Sequence, residues 1–182
     1  MSKTLVVNLF GGPGVSKSTN TALTFGKLKI AGVNAEIASE YAKDLVWEGR
    51  HHALSFQPYI VAKQMWRVHR LFDQVDVILT DSPILLGLVY GKNMDEHWKR
   101  HVVDTFDSWN TINFHLTRNL EHHPYNPKGR TQTEAEAQLV DKRIEEILDR
   151  NGIDHEIIPV QQGEGTAEHI FTRVMERMGE PS

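Results

Sequence analysis

Along this chain, short and nearly unbroken apolar runs alternate with longer stretches of mixed polarity. The apolar runs fall at 5–10, 33–38, 76–81, 111–116 and 156–160. Runs this short, rich in Val, Ile, Leu and Phe, predict strands buried on both faces. The stretches 21–31, 39–48, 57–73, 84–90, 95–108, 134–150 and 166–178 have helical length and composition. Gly32 ends the first of these, Ser39 is placed to cap the second, and Pro58 suits the first turn of the third. Strands alternating with helices predict an α/β domain of three layers, with about five parallel strands covered on both faces. Segment 117–133 breaks the alternation: it is polar, carries Pro124, Pro127 and Gly129, and reads as a long loop or lid. With no repeat or linker, residues 1–182 read as one domain.

Composition narrows this little. Hydrophobic residues make up 40% and charged residues 24%, as in ordinary globular proteins. No apolar run approaches the roughly 18 residues of a membrane span, and residues 1–4 lead straight into a strand. The expectation is therefore a cytoplasmic protein without a signal or transit peptide and without a membrane partner. There is no cysteine, which removes thiolate metal sites and cysteine nucleophiles together. A formal charge of −4 argues against a broadly basic nucleic-acid binder but leaves room for a local patch. Ten histidines include the pairs His51-His52 and His122-His123, which lack a completing carboxylate pattern and read as surface residues rather than metal ligands.

The first strand runs into Gly11, Gly12, Pro13, Gly14, Val15, Ser16, Lys17, Ser18 and Thr19, and a helical stretch follows. Strand, glycine-rich loop and a helix opening on Lys-Ser form the context of a phosphate-binding loop. Such a loop turns successive backbone N–H groups inward and adds the partial positive charge of a helix N-terminus. Lys17 would reach the β- and γ-phosphates of ATP, and the Ser18 hydroxyl would hold Mg²⁺. The usual pattern has glycine where this chain has Ser16, so extra bulk is expected beside phosphate. The fold expected is a P-loop NTPase fold with a lid.

Further chemistry gathers where strands end, as in open parallel sheets. Asp81 closes the third strand, as a Mg²⁺-supporting carboxylate or as a cap for a helix starting at Pro83. Glu40 and Asp44 follow the second strand four residues apart, on one helical face. Either can receive the proton of an attacking hydroxyl, with Glu40 nearer the strand end and Lys43 placed to keep it ionised. Arg118 and Arg130 lie on the lid segment, where arginines close over a transferring phosphoryl group. Lys63, Arg67 and Arg70 recur at helical spacing, forming either a face for substrate phosphate or DNA or a solvated face. Trp47, Phe56, Tyr59 and Trp66 read as core residues, with base stacking the alternative. Gly163 and Gly165, after the last strand, would let adenine approach the backbone.

With these elements in place, the chain resembles P-loop kinases of the nicotinamide riboside kinase type. The likeness rests on Gly-Gly-Pro-Gly-x-x-Lys-Ser-Thr, on Glu40-Tyr41-Ala42-Lys43, on Asp81 and on the arginine-bearing lid. It is also similar to small bacteriophage P-loop kinases with a Glu-Tyr-Ala-Lys-Asp segment and a Tyr-Asn-Pro-x-Gly-Arg lid. Related phage kinases include those proposed to phosphorylate 5-hydroxymethyluridine in DNA. The resemblance implies an ATP- and Mg²⁺-dependent kinase acting on a nucleoside-type hydroxyl, in the host cytoplasm if phage-encoded. The acceptors it implies are a free nucleoside, a nucleoside monophosphate, nicotinamide riboside or a modified base in DNA. A nucleotide-binding ATPase or switch acting through a partner is the competing class.

Overall fold

The protein is described from a computed structural model over residues 3–91, 94–119 and 134–179. Five strands form one parallel sheet: β1 (Leu5–Phe10), β2 (Ala35–Ile37), β3 (Val77–Thr80), β4 (Thr111–Thr117) and β5 (Glu156–Pro159), in the order β2-β3-β1-β4-β5. All neighbours run parallel, with Val7 against Leu79 on one side and Ile112 on the other. The central strand is buried at every position, which is why β1 reads as a solid apolar run. The chain passes from one side of β1 to the other between β3 and β4. The crevice so formed lies at the carboxyl ends of these strands.

Two helical layers cover the sheet. On one face α1 (Lys17–Ile30) and α8 (Gly165–Gly179) pack Leu28, Ile170 and Val174 onto Leu5, Val7, Leu9, Leu79, Phe114 and Leu116. On the other lie α4 (Gln57–His69), α5 (Leu86–Tyr90), α6 (Glu96–Asp107) and α7 (Glu134–Arg150). They bury Val61, Val89, Val102, Phe106, Ile144 and Leu148 around Phe10, while Val68 packs against Val6 and Ile78. Asp95 caps α6 by accepting from the N–H groups of His97 and Trp98.

Several boundaries differ from the sequence expectation. Helix α1 begins at Lys17 rather than Thr21, so the lysine lies on the helix itself. Between β2 and α4 run α2 (Tyr41–Trp47) and the unexpected single turn α3 (His51–Leu54). The N-cap of α2 is Glu40, not Ser39, because the Ser39 hydroxyl and carbonyl are both engaged by Arg67 of α4. Helix α4 stops at His69, and α5 starts only at Leu86, so no helix begins at Pro83 for Asp81 to cap. The aromatics expected in the core are largely outside it: Trp47, Phe56 and Trp66 are 81%, 63% and 61% exposed.

Candidate nucleotide-binding site

The loop between β1 and α1 sits at the sheet's crevice. Its last residue, Ser16, occupies the left-handed region at φ 58°, ψ 26°. Glycine is the usual residue at this position, and the geometry gives a backbone reason in place of the steric crowding expected from sequence. An L-residue held there is strained by about 1–2 kcal/mol. The strain is held in place by Asn20, whose buried side-chain amide and backbone N–H both donate to the Ser16 carbonyl at 3.0 Å. The Ser16 side chain makes no capping bond to α1, and no acidic residue lies in the helix's first turn. The N–H groups at the start of a 14-residue helix are thus left for an anion, and the donor set fits a nucleotide phosphate chain.

Lys17 curls back over the loop, donating from Nζ to the carbonyls of Gly11 (2.6 Å) and Gly12 (3.0 Å). Desolvation lowers its pKa, opposed by the carboxylates of Glu40, Asp81 and Asp141 and assisted by Arg118. The structure therefore gathers the ends of three strands around one ammonium group: Glu40 after β2, Asp81 after β3 and Arg118 after β4. Glu40 is partly buried, and its own pKa is raised, first by desolvation. Lys17 and Lys43 pull it down, while Asp81 and Asp44 push it up. Lys43 does exert the expected pull, but burial outweighs it. Tyr90, at the end of α5, faces the same cluster. Although 43% exposed as a residue, its phenol is pushed up to about 12, by desolvation and then by Glu40 and Asp141.

Asp44, though near enough to act on Glu40, is held by a partner of its own. Its carboxylate pairs with Arg67, whose guanidinium also lies 5.1 Å from the Tyr41 ring centre. That pairing withdraws Arg67 from the basic face predicted with Lys63 and Arg70. Lys63 is exposed and sits 5.7 Å from the ring centre of Tyr59. The Gly163–Gly165 loop leads into α8, where Glu164 pairs with Lys27 at 2.9 Å. Arg130 and His122-His123 lie outside the described residues. Among the described residues there is no cluster of three or more metal-ligating side chains, and no helix is long and apolar enough to cross a membrane.

Asp141 of α7, like Tyr90, is a site residue that sequence reasoning missed. One carboxylate oxygen accepts the Gly12 N–H at 2.7 Å, and the other accepts from Arg118 Nε at 2.6 Å. Arg118 in turn donates to the Pro13 carbonyl at 2.6 Å. A side chain on Gly12 would run into the Asp141 carboxylate and come within 3.0 Å of the Arg118 guanidinium. Glycine is required at this position by close approach alone. Arg118 thus bonds the loop backbone and is only 10% exposed, a different posture from an arginine swinging on an open lid.

A strand–loop–helix of this geometry, at the switch point of a five-stranded parallel sheet, defines an α/β domain of the P-loop NTPase type. A model of the AAA domain family matches residues 6–167, and the chain belongs to that family. No curated protein matches it in sequence. Among solved structures it is similar to thymidylate kinase from Ehrlichia chaffeensis, with a TM-score of 0.63 and 16% identity over 96% of this chain and 98% of that one. It is also similar to deoxyadenosine kinase from M. mycoides with bound dATP, with a TM-score of 0.53 and 17% identity over 96% and 100% of the two chains. At these identities the likeness is one of fold, and it agrees with the architecture expected from the alternating pattern.

Proposed function

We propose that the protein is an ATP-dependent kinase that phosphorylates a hydroxyl of a nucleoside-type acceptor. The observation that carries this reading is the convergence of Glu40 and Asp81 on Lys17 beside an uncapped helix N-terminus. Two solved structures of the same fold are kinases of a nucleotide and a nucleoside by their descriptions, which supports the same class. The loop amides and Lys17 hold the β- and γ-phosphates. Ser18 and Asp81 are the residues that would hold Mg²⁺, which neutralises phosphate charge when bound. Glu40 takes the acceptor's hydroxyl proton as the new P–O bond forms and the bond to the ADP oxygen breaks. Arg118 keeps the loop in shape, and Arg130, from its sequence position, supplies lid charge. Such an enzyme draws on the ATP of the cytoplasm. The test is transfer of label from γ-labelled ATP to a panel of nucleosides, nucleoside monophosphates and nicotinamide riboside. Turnover of ATP that is independent of every acceptor would instead identify a switch or ATPase.

A second reading places the acceptor within DNA, as 5-hydroxymethyluridine. The observation favouring it is the exposure of Trp47, Phe56 and Trp66 along the segment from α2 to α4, which also carries the exposed Lys63 and Arg70. Exposed aromatics interleaved with cations suit base stacking and phosphate contact. If this holds, binding of single-stranded DNA weakens with salt and with Trp66→Ala. Label appearing only in free nucleosides, without DNA binding, rules it out.

A further inference from the structure

The backbone around Glu40 is held by a residue that lies 24 positions away on α4 and has no chemistry of its own in the sequence pattern. Gln64 is 3% exposed, and every polar atom of its side chain faces protein. Its Oε1 accepts the N–H of Tyr41 at 3.0 Å. Its Nε2 faces the Ser39 carbonyl at 3.2 Å, the Ala38 carbonyl at 3.4 Å and Thr80 Oγ1 at 3.5 Å. The carboxamide thus bonds the residue before Glu40 and the residue after it.

Two details give this arrangement a purpose beyond packing. Glu40 is the N-cap of α2, beside N–H groups that have no acceptor within the helix. It makes no side-chain capping hydrogen bond, and the first of those N–H groups, that of Tyr41, donates to Gln64. The carboxylate is left free to face Lys17. In addition, Thr80 Oγ1, which Gln64 reaches, also accepts the N–H of Ser82 at 3.1 Å. Gln64 therefore ties the turn carrying Glu40 to the turn carrying Asp81. Arg67, one helical turn on, holds Ser39 from the same helix.

We infer that Gln64 is a positioning residue: its carboxamide takes the first N–H of α2 and fixes Glu40 in place relative to Asp81 and the nucleotide site. This rests on the reading of Glu40 as the base that receives the acceptor proton. The charged and titratable groups facing Glu40 are Lys17 from α1, Lys43 and Asp44 from α2, Asp81 after β3, and Tyr90 from α5. Gln64 is uncharged and changes none of them directly, so its loss acts through placement alone.

The experiment is a double-mutant cycle on the full chain, using Gln64→Met, Glu40→Gln and both together. Methionine keeps the length and apolar volume of the side chain and removes both hydrogen-bonding functions. With the nucleoside acceptor that gives highest turnover, Gln64→Met is expected to lower kcat tenfold or more and to leave the ATP KM within about twofold. Freed from Gln64, Glu40 settles onto the α2 N-terminus or into water, so the acid limb of the kcat profile moves to lower pH. In the Glu40→Gln background, Gln64→Met is expected to change kcat by less than about twofold. Equal losses in both backgrounds, or an acid limb that does not move, overturn the inference and leave a merely structural glutamine. If Glu40→Gln itself keeps full turnover and the same acid limb, the reading of Glu40 as base fails, and the inference fails with it for that separate reason. Circular dichroism reports folding. Should Gln64→Met be unfolded, Gln64→Asn takes its place in the cycle, since it stays uncharged and its amide is one methylene too short to hold Tyr41 and Ser39 together. The same pair of outcomes then supports or overturns the inference.

Discussion

The Gly12 N–H and the Asp141 carboxylate, 129 positions apart, are joined by a 2.7 Å hydrogen bond, so α7 holds the phosphate loop directly. The same carboxylate fixes Arg118, and Arg118 holds Pro13, closing a clamp around the first half of the loop. Asp141→Ala removes both carboxylate bonds of the clamp at once. It leaves the Gly12 N–H without its acceptor and takes the counter-charge from a nearly buried guanidinium, at a cost of about 2–4 kcal/mol in stability. It also loosens the loop, so ATP affinity is expected to fall about tenfold or more. Urea denaturation and calorimetric titration with ATP measure the two effects. Stability unchanged to within experimental error would show that the clamp carries no weight.

Lys17 makes its hydrogen bonds to carbonyls of its own loop, and three carboxylates face it. Its charge is needed most when phosphate arrives. Lys17→Ala is therefore expected to abolish phosphotransfer while the far-UV spectrum and the melting transition stay close to those of the parent. Normal turnover in this variant would mean that the phosphate loop does not carry the chemistry.

The two variants differ in how readable their residues are. Lys17 lies in a motif whose spacing follows from the strand and helix on either side, and the sheet's short apolar runs set its place in the fold. Asp141 lies in an amphipathic helix where a polar residue is unremarkable, and only the fold brings it to Gly12. Gln64 is invisible for the same reason, since one buried amide among apolar neighbours leaves no periodic trace. The exposed Trp47, Phe56 and Trp66 misled in the other direction, because aromatics at helical spacing look like core whichever way the helix is turned. The start of α2 slipped by one residue because Arg67, on another helix, occupies the hydroxyl that would have capped it.

Ser16 offers a prediction of opposite sign. Its φ of 58° suits glycine. Ser16→Gly relieves left-handed strain and adds some unfolded-state freedom, for a net gain in stability of up to about 1 kcal/mol. ATP affinity is expected to hold or improve, since the Ser16 carbonyl that receives Asn20 is kept. A tenfold loss of turnover, equivalent to about 1.4 kcal/mol, would show that the hydroxyl itself serves the reaction.

Glu40 joins stability to activity with a definite sign. Its folded-state pKa is raised above the ordinary glutamate value, chiefly by desolvation. A carboxyl with a raised pKa stabilises the fold most when protonated. That contribution is complete below the unfolded-state pKa and is lost as pH rises through the folded-state value. At neutral pH the ionised Glu40 is consequently a cost that the fold carries. Glu40→Gln removes the charge and keeps the shape, so the variant is expected to be more stable than the parent at neutral pH. The advantage shrinks on acidification and is gone below the ordinary glutamate range. The same substitution takes away the proton acceptor and is expected to lower turnover about 10²–10⁴-fold, while ATP affinity barely changes. In the parent, kcat should fall on acidification before a solvent-exposed glutamate would protonate. Chemical denaturation of both proteins across pH, beside the kcat profile of the parent, tests the two halves together. A Glu40→Gln variant that is less stable at neutral pH, or that turns over normally, would mean that this carboxylate is held by partners that favour its charge and does not serve as the base.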